Sequence, residues 1–190
     1  MTSRFLNALM WAAELHRLQR RKNAPEAVPG KCPRSIPYIN HLIAVAELLA
    51  SVGGVEDEDV LIAAVLHDAV EDTPATVDAI RERFGDRVAS IVDEVSDDRS
   101  LSREERKRLQ VEHAGQLSHE ARLVKLADKI HNCADLRRYP PGKWTPERMD
   151  AYRAWSREVI APIRGTHAAL EDLFDTVSAS NPSPSNEFTT

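Results

Sequence analysis

The sequence predicts an all-α fold with roughly eight to ten helices and no substantial sheet. Apolar residues recur at helical spacing in nearly every patterned segment, as at Val88, Ile91, Val92 and Val95. The sequence lacks the alternating β-branched runs, bounded by hairpin turns, that would indicate strands. Helix-capping signals, such as the capping box that begins at Ser102, precede several of the periodic segments.

Proline and glycine divide the first half of the chain into three predicted helices. Residues 23–35 contain several prolines and are expected to form a loop, because proline is incompatible with a regular helix interior. The acidic run from Glu56 to Asp59 suits the positive end of a helix dipole. The predicted helices extend from a cap at Ser3 to about Arg21, through a segment that ends at Gly53-Gly54, and from the acidic run to about Asp72.

Capping residues and turns mark the helices of the second half. Thr76, Ser102 and Thr145 are expected to cap helices, and a corner at Phe84-Gly85-Asp86 separates two of them. Further helices are predicted from about Ser118 to the turn at Tyr139, from Thr145 to Pro162, and from Gly165 through Phe174. The polar segment 178–190 is expected to be disordered, so the sequence divides into a domain over 1–177 and a tail over 178–190.

Composition excludes several classes of protein. The chain has 190 residues, of which 42% are apolar, and its 25 basic and 30 acidic residues give a net charge of −5. No overall positive field is available to hold a nucleic-acid polymer or an anionic membrane surface. Cys32 and Cys133 form no metal-binding or disulfide framework, which favours a reducing, cytoplasmic compartment. The apolar runs are too short to predict a membrane span.

Four polar residues lie at the end of an apolar helix and indicate a candidate metal-binding or catalytic site. His67 and Glu71 are one helical turn apart, as are Asp68 and Asp72. The preceding run from Val60 to Leu66 is apolar all round, so this polar end is expected to face an internal cleft. Three crowded carboxylates require compensation, for which a divalent metal is the simplest candidate. The alternative is a solvated helix end that precedes a proline break, with one histidine bonded to backbone.

Two distant residues could complete a metal site. His41 stands at the start of the second predicted helix, and Asp128 lies inside an otherwise apolar helix, with Asn132 one turn later. Each is ambiguous on its own, because a first-turn histidine is usually exposed and a mid-helix aspartate usually pairs with a neighbouring lysine. A metal needs about four to six ligands, so partners for the His67-Asp68 pair must come from other helices.

Together these residues resemble a known family. The order His41, His67-Asp68, Asp128 is similar to the H…HD…D pattern of the HD phosphohydrolase superfamily, an all-helical fold that binds divalent metal. The flanking words narrow the resemblance to the hydrolase domain of RelA/SpoT homologues, in particular the small stand-alone alarmone hydrolases typified by the metazoan SpoT homologue. These words are QRRK at 19–22, PYINH at 37–41, VLHDAVEDT at 65–73, ERKRLQVE at 105–112 and KLADKIHN at 125–132.

The resemblance implies an HD-domain helical bundle that removes pyrophosphate from the 3′ position of guanosine tetra- or pentaphosphate, with Mn²⁺ as the usual metal. The implied metal ligands are His41, His67, Asp68 and Asp128. The implied catalytic residues are Glu71, Asp72 and Asn132, with the two acids orienting the nucleophile or passing a proton to the leaving oxygen. Two imidazoles and two carboxylates without sulfur suit Mn²⁺ or Fe²⁺ better than a structural Zn²⁺ site. Mn²⁺ is therefore the expected ion, with Fe²⁺, Zn²⁺ and Mg²⁺ as alternatives.

An anionic nucleotide in an acidic pocket also requires cations. The resemblance implies nucleotide contacts from Arg21 and Lys22, and further candidates for substrate binding are Arg99, Lys107 and Tyr152. Three departures bear on nucleotide recognition: the longer loop at 23–35, Asn23 in place of a frequent aspartate, and Ala134 in place of an arginine for which Arg137 or Arg138 could substitute. The remaining motif-free histidines are interpreted as surface or packing residues: His16, His113, His119 and His167.

Two other functions stay open at the level of sequence. One is an HD phosphohydrolase that acts on a different nucleotide or phosphorylated cofactor. The other is a catalytically silent module that binds a nucleotide as a sensor, although every predicted ligand and both catalytic acids are present. The sequence does not decide whether the chain self-associates into a homo-oligomer.

Overall fold

The computed structural model describes residues 2–22 and 36–179. The predicted loop at 23–35 and positions 180–190 of the predicted tail lie outside the described residues. Ten α-helices are present in the described part, and its one β-type contact is an isolated bridge between Arg20 and Pro37, which confirms the all-α prediction. The helices are α1 (Ser3–Leu15), α2 (Ile39–Ser51), α3 (Glu58–Leu66), α4 (Ala69–Asp72), α5 (Val77–Phe84), α6 (Asp86–Val95), α7 (Arg103–His113), α8 (His119–Arg138), α9 (Pro146–Ile160) and α10 (Ala168–Ser178).

Helix α3 lies at the centre of the bundle. It packs against α1, α2, α6 and α8, which explains why Ile62, Val65 and Leu66 are fully buried although they lie on different sides of the helix. The long helix α8 packs in turn against α2, α6 and α10. The start of α2, the end of α3 and the middle of α8 are thereby brought together at one place in the core.

Most local signals in the sequence are confirmed. The side chains of Thr76, Ser102, Ser118 and Thr145 each accept a backbone N–H bond from the first turn of the helix that follows. The predicted apolar stripe of α6 is buried, and the corner before it is made by Gly85 at a φ of 90°. In the described residues, no helix is both long enough and apolar enough to cross a membrane.

The first helix differs from its prediction at both ends. Its cap is Thr2 rather than Ser3, and it ends at Leu15 rather than near Arg21. Beyond Leu15 the chain does not continue as a helix, because residues 19–21 form backbone hydrogen bonds with residues 36–38. The Arg21 N–H donates to the Ile36 carbonyl at 2.9 Å, and the Tyr38 N–H donates to the Gln19 carbonyl at 3.1 Å. This pairing places the basic residues beside the start of α2.

Two further helix boundaries also differ from the predictions. The helix expected to reach Asp72 is interrupted at His67-Asp68, so that α3 ends at Leu66 and the single turn α4 follows. The last helix continues past Phe174 to Ser178, which the sequence assigned to the polar tail. Ser178 is buried, and its carbonyl accepts a hydrogen bond from the Arg157 side chain.

Candidate metal and catalytic site

The structure brings the four predicted metal ligands together. His41 comes from the first turn of α2, His67 and Asp68 from the junction between α3 and α4, and Asp128 from the middle of α8. Ligand atoms of His41, His67 and Asp128 all lie within 4.8 Å of one another. The Asp68 Oδ2 atom is 3.1 Å from His67 Nε2 and 3.6 Å from His41 Nε2. Three distant segments thus converge on one buried point.

The chemistry of these side chains fits a divalent cation. The Nε2 atoms of His41 and His67 are buried and have no hydrogen-bond partner, although carboxylate oxygens lie 3.1–3.7 Å away. The opposite nitrogen of His67 donates to the Ala64 carbonyl at 2.8 Å, so Nε2 is the ring atom that faces the carboxylates. Two nitrogen and two oxygen donors without sulfur are a ligand set suited to a divalent metal ion.

The electrostatics of the cluster also favour a cation. Burial lowers the pKa of His41 to about 4. Burial acts in the same direction on His67, but Asp68 and Asp128 outweigh it and raise the pKa of His67 to about 10. Burial opposes ionisation of Asp128, yet Lys129 and the two imidazoles hold its pKa well below the usual value. The carboxylates of Asp68 and Asp128 therefore stabilise a positive charge beside them, which a bound cation could supply.

Neighbouring polar groups fix the orientation of the ligands. The Tyr38 hydroxyl donates to Asp68 Oδ2 at 2.7 Å. The Asn132 amide donates to Asp128 Oδ1 at 2.6 Å, and the Lys129 ammonium lies 3.1 Å from Asp128 Oδ2. Asn132, predicted as a catalytic residue, therefore contacts a predicted metal ligand directly. Tyr38 and Lys129 were absent from the predicted site residues.

The two predicted catalytic acids have different partners. Asp72 accepts a hydrogen bond from Gln19 at 2.7 Å, whereas Glu71 accepts one from Arg106 at 2.9 Å. Burial raises the pKa of Glu71 to about 7, and the charges of Asp97, Asp68 and Asp72 act in the same direction. The charge of Lys125 opposes this shift. Glu71 is thus a group that can hold or release a proton near neutral pH.

The sequence patterns did not predict the residues that contact the two predicted catalytic acids, although they lie in segments that carry the family resemblance. Gln19 lies in the QRRK word, and Arg106 lies in the ERKRLQVE word. His16, interpreted as a surface or packing residue, is buried with its ring stacked on Tyr38 at 5.1 Å between centroids, and its Nδ1 atom bonds to Gln19 Oε1. His131, next to Asn132, places its Nδ1 atom 2.9 Å from His41 Nδ1.

A cleft of about 440 Å³ opens beside the metal cluster. Three of the five predicted substrate contacts line it: Arg21, Lys22 and Tyr152. The Arg21 guanidinium is held by Asn132 at 2.6 Å and by Asp135 at 3.1 Å. Asp72 also lines this cleft, so that basic and acidic side chains face the same space.

The other two predicted substrate contacts lie elsewhere. Lys107 lines a smaller pocket that adjoins the cleft. Arg99 donates to the Thr73 carbonyl at 2.8 Å, at the end of α4, and it is not among the described residues that line the cleft. The position of Arg99 therefore suits the support of α4 better than direct contact with a ligand.

Comparison with known proteins agrees with this architecture. The family model described as HD domain matches residues 8–163. The chain is 47% identical over 170 residues to guanosine-3′,5′-bis(diphosphate) 3′-pyrophosphohydrolase MESH1 of Xenopus tropicalis, covering 90% of each chain, and 44% identical over 176 residues to the Drosophila melanogaster MESH1, covering 93% of each. It is also similar to the solved structure of a metazoan orthologue of SpoT that hydrolyses ppGpp, with a TM-score of 0.86, 44% identity, and coverage of 93% of this chain and 94% of that one. The chain therefore belongs to the HD-domain family, within its group of MESH1-type guanosine-3′,5′-bis(diphosphate) 3′-pyrophosphohydrolases.

Proposed function

We propose that this protein is a metal-dependent hydrolase that removes the 3′-pyrophosphate of guanosine tetra- or pentaphosphate, giving GDP or GTP and pyrophosphate. The observation that carries the proposal is the convergence of His41, His67 and Asp128 on one point, with Asp68 against both imidazoles. A cleft with both acidic and basic walls adjoins this point. Relatives of nearly the same length carry this activity in their names.

We propose Mn²⁺ as the metal, held by His41, His67, Asp68 and Asp128, with Fe²⁺ as the nearest alternative and Zn²⁺ or Mg²⁺ as poorer fits. When bound, such a cation neutralises phosphate charge and acidifies water. The donor set supports this assignment, because unpartnered imidazole nitrogens and carboxylates match borderline divalent metals. Tyr38 and Asn132 keep the two carboxylates in fixed orientations through their hydrogen bonds.

The two acids divide the proton transfers. Asp72 lines the cleft and is held by Gln19, so it is placed to orient the attacking water and accept its proton. Glu71, whose pKa is about 7, is suited to give a proton to the 3′ oxygen of the ribose as the bond from that oxygen to phosphorus breaks. The oxygen of the attacking water becomes part of the departing pyrophosphate. The proton that this water loses goes to Asp72, and the proton that the ribose oxygen gains comes from Glu71.

The cations of the cleft would hold the nucleotide. Arg21 is preorganised by Asn132 and Asp135, and Lys22 lies beside it in the wall of the cleft. Tyr152 also lines this cleft and offers an aromatic ring to a ligand. We propose that Arg21 and Lys22 contact the nucleotide directly and that Tyr152 packs against it. Arg99 would act by supporting α4.

We place this activity in the cytoplasm. The sequence supports this placement, because its two cysteines, Cys32 and Cys133, form no disulfide framework, and Cys133 is a buried thiol in α8. Unpaired buried thiols are typical of reducing compartments. Self-association is not required by any feature of the proposed site, since the predicted ligands and acids all come from one chain.

The test is an assay of the purified protein with Mn²⁺ against guanosine tetraphosphate and a panel of other phosphorylated nucleotides. Ion-exchange chromatography should detect GDP and pyrophosphate in equal amounts from guanosine tetraphosphate. Turnover confined to another nucleotide would instead support a different HD phosphohydrolase. Binding without turnover of any nucleotide would support the sensor. Metal analysis of the same sample identifies the ion.

A further inference from the structure

The two predicted imidazole ligands direct the same ring atom at the carboxylates of the cluster. The Nε2 atom of His67 lies 3.1 Å from Asp68 Oδ2. In the same way, the Nε2 atom of His41 lies 3.2 Å from Asp128 Oδ1. A neutral imidazole that binds a cation through Nε2 keeps its proton on Nδ1. That N–H group needs an acceptor, because both side chains are buried and an unpaired buried donor is costly.

The acceptors of these two N–H groups differ in kind. The Nδ1 atom of His67 faces a main-chain acceptor, the Ala64 carbonyl, at 2.8 Å. The Nδ1 atom of His41 instead lies 2.9 Å from the Nδ1 atom of another imidazole, that of His131. The orientation of His67 is thus fixed by the backbone of the preceding helical turn. That of His41 depends on a side chain 90 positions away.

The contact between the two Nδ1 atoms determines where the protons are. A hydrogen bond forms between two ring nitrogens only when one carries a proton and the other offers a lone pair. Because His41 needs the lone pair of Nε2 for the cluster, its Nδ1 atom is the donor and His131 Nδ1 is the acceptor. His131 is then a neutral imidazole with its proton on Nε2. The bond thereby selects the form of His41 that can bind a cation.

Helix α8 holds His131 in this position. Asp128 and His131 are three residues apart on one face of the helix, and both contact His41 of α2. The centroids of the His41 and His131 rings are 4.8 Å apart. Only 19% of the His131 side chain is exposed, which limits competition from water for the bond. A carboxylate oxygen of Asp135 lies 3.9 Å from the same Nδ1 atom, too far for a hydrogen bond.

We propose that His131 is a positioning residue for the metal site, whose Nδ1 atom accepts the Nδ1 proton of His41 and so orients that ligand. This inference rests on the proposed function, and within it on the metal site rather than on the choice of nucleotide. An acceptor on the far nitrogen of a ligating imidazole fixes its tautomer and raises its basicity, and such contacts typically contribute about 10–100-fold in metal affinity. Loss of His131 should therefore weaken metal binding although every predicted ligand is retained.

The test measures the affinity of the full-length chain for Mn²⁺ by competition with a fluorescent chelator, in the absence of nucleotide. The variant His131→Phe keeps a ring against His41 but removes the acceptor, so its Kd for Mn²⁺ should rise by about tenfold or more. The variant His131→Asn places an amide oxygen near the position of Nδ1 and should restore the Kd to within about threefold of the wild type. His119→Phe, at an exposed position of the same helix, is the matched control and should leave the Kd unchanged.

A role in packing alone would give a different pattern. Equal affinities of His131→Phe and wild type would overturn the proposal. Equal weakening in His131→Phe and His131→Asn would also overturn it, because that result assigns the effect to the ring and not to the hydrogen bond. Thermal unfolding of the metal-free proteins checks that each variant folds, and His131→Leu replaces His131→Phe if the larger ring is not tolerated.

Hydrolysis gives a second readout. Because His41 is retained in His131→Phe, a higher concentration of Mn²⁺ should recover hydrolysis of guanosine tetraphosphate, with the activation constant raised by the same factor as the Kd. Absence of hydrolysis by a wild type that binds Mn²⁺ would overturn the proposed function but not the role of His131, since the comparison of Kd values needs no substrate. Absence of Mn²⁺ binding by the wild type would overturn both.

Discussion

The side-chain amide of Gln19 donates a 2.7 Å hydrogen bond to the Asp72 carboxylate, although the two residues are 53 positions apart. Because the amide nitrogen faces Asp72, the amide oxygen faces His16 and accepts from its Nδ1 atom. The other nitrogen of His16 is buried without a hydrogen-bond partner, so Nδ1 is the ring atom that contacts Gln19. The orientation of Asp72 is thus set from outside its own helix.

This chain of bonds predicts that His16 positions Asp72. The variant His16→Phe keeps a ring against Tyr38 but removes the donor to Gln19, so kcat should fall by about tenfold with little change in KM. The variant His16→Asn places an amide donor near the same point and should recover most of kcat. Thermal unfolding of both variants controls for stability. Equal activity of His16→Phe and wild type would show that the contact has no role in positioning.

Loss of one imidazole should remove the metal. The variant His67→Ala deletes one of two nitrogen donors from a buried cluster, and kcat is expected to fall by at least about 10³-fold. Elemental analysis after dialysis should find the ion bound to the wild type and absent from the variant. The exposed His119 supplies the control, since His119→Ala should keep both metal and activity. Full metal content in His67→Ala would contradict the predicted ligand set.

The Tyr38 hydroxyl should tune metal affinity. It donates to Asp68 Oδ2 at 2.7 Å, and bonds of this kind to a ligand typically contribute about 10–100-fold in affinity. The variant Tyr38→Phe retains the ring that stacks on His16 and should bind Mn²⁺ more weakly by about tenfold. Competition with a fluorescent chelator measures the change. Tyr139→Phe, at the end of α8, is the control, and equal affinities of Tyr38→Phe and wild type would refute the prediction.

Ionisation of Glu71 should make stability depend on pH. Its pKa is raised by burial to about 7 in the folded protein, so the folded state favours the neutral acid. The resulting stabilisation is complete below about pH 4.5 and is lost as pH rises through about 7. The loss between pH 5 and pH 8 is about 2 kcal/mol, after allowance for the partly exposed side chain and for Arg106.

The variant Glu71→Gln provides the measurement, because glutamine does not ionise. Urea unfolding of the metal-free proteins at pH 5 and pH 8 should show a smaller fall in the free energy of unfolding for the variant than for the wild type. The variant also loses the ion pair between residue 71 and Arg106. This loss affects the free energy of unfolding at both pH values, so it cancels when the two values are subtracted. Identical pH dependence in the two proteins would show that Glu71 ionises in the folded state as it does in water.

Local features of the fold were predictable from the sequence, whereas features fixed by distant contacts were not. The caps at Thr76, Ser102 and Thr145 and the buried stripe of α6 depend on neighbours within one or two turns. The end of α1 was misplaced because residues 19–21 pair with the chain near residue 37. In the same way, the interruption at His67-Asp68 lies where α3 meets the surrounding helices in the core.

The candidate site follows the same division. The order of the predicted ligands along the chain indicated their convergence, and the structure brings those side chains together. Their metal-binding role remains a prediction. The partners of the two predicted catalytic acids could not be inferred from periodicity, since Arg106 is 35 positions from Glu71 and Gln19 is still farther from Asp72. Pairings over such distances depend on how the helices pack.

The bridge between Arg20 and Pro37 has a consequence for how the chain tolerates change. Its two backbone hydrogen bonds hold the residues on either side of positions 23–35 together, so Arg21 and His41 are anchored independently of what lies between them. The entropy of closing a loop grows only logarithmically with its length. We therefore expect changes of length at these positions to leave the geometry of the predicted metal ligands unchanged, which makes the segment suitable for protein engineering.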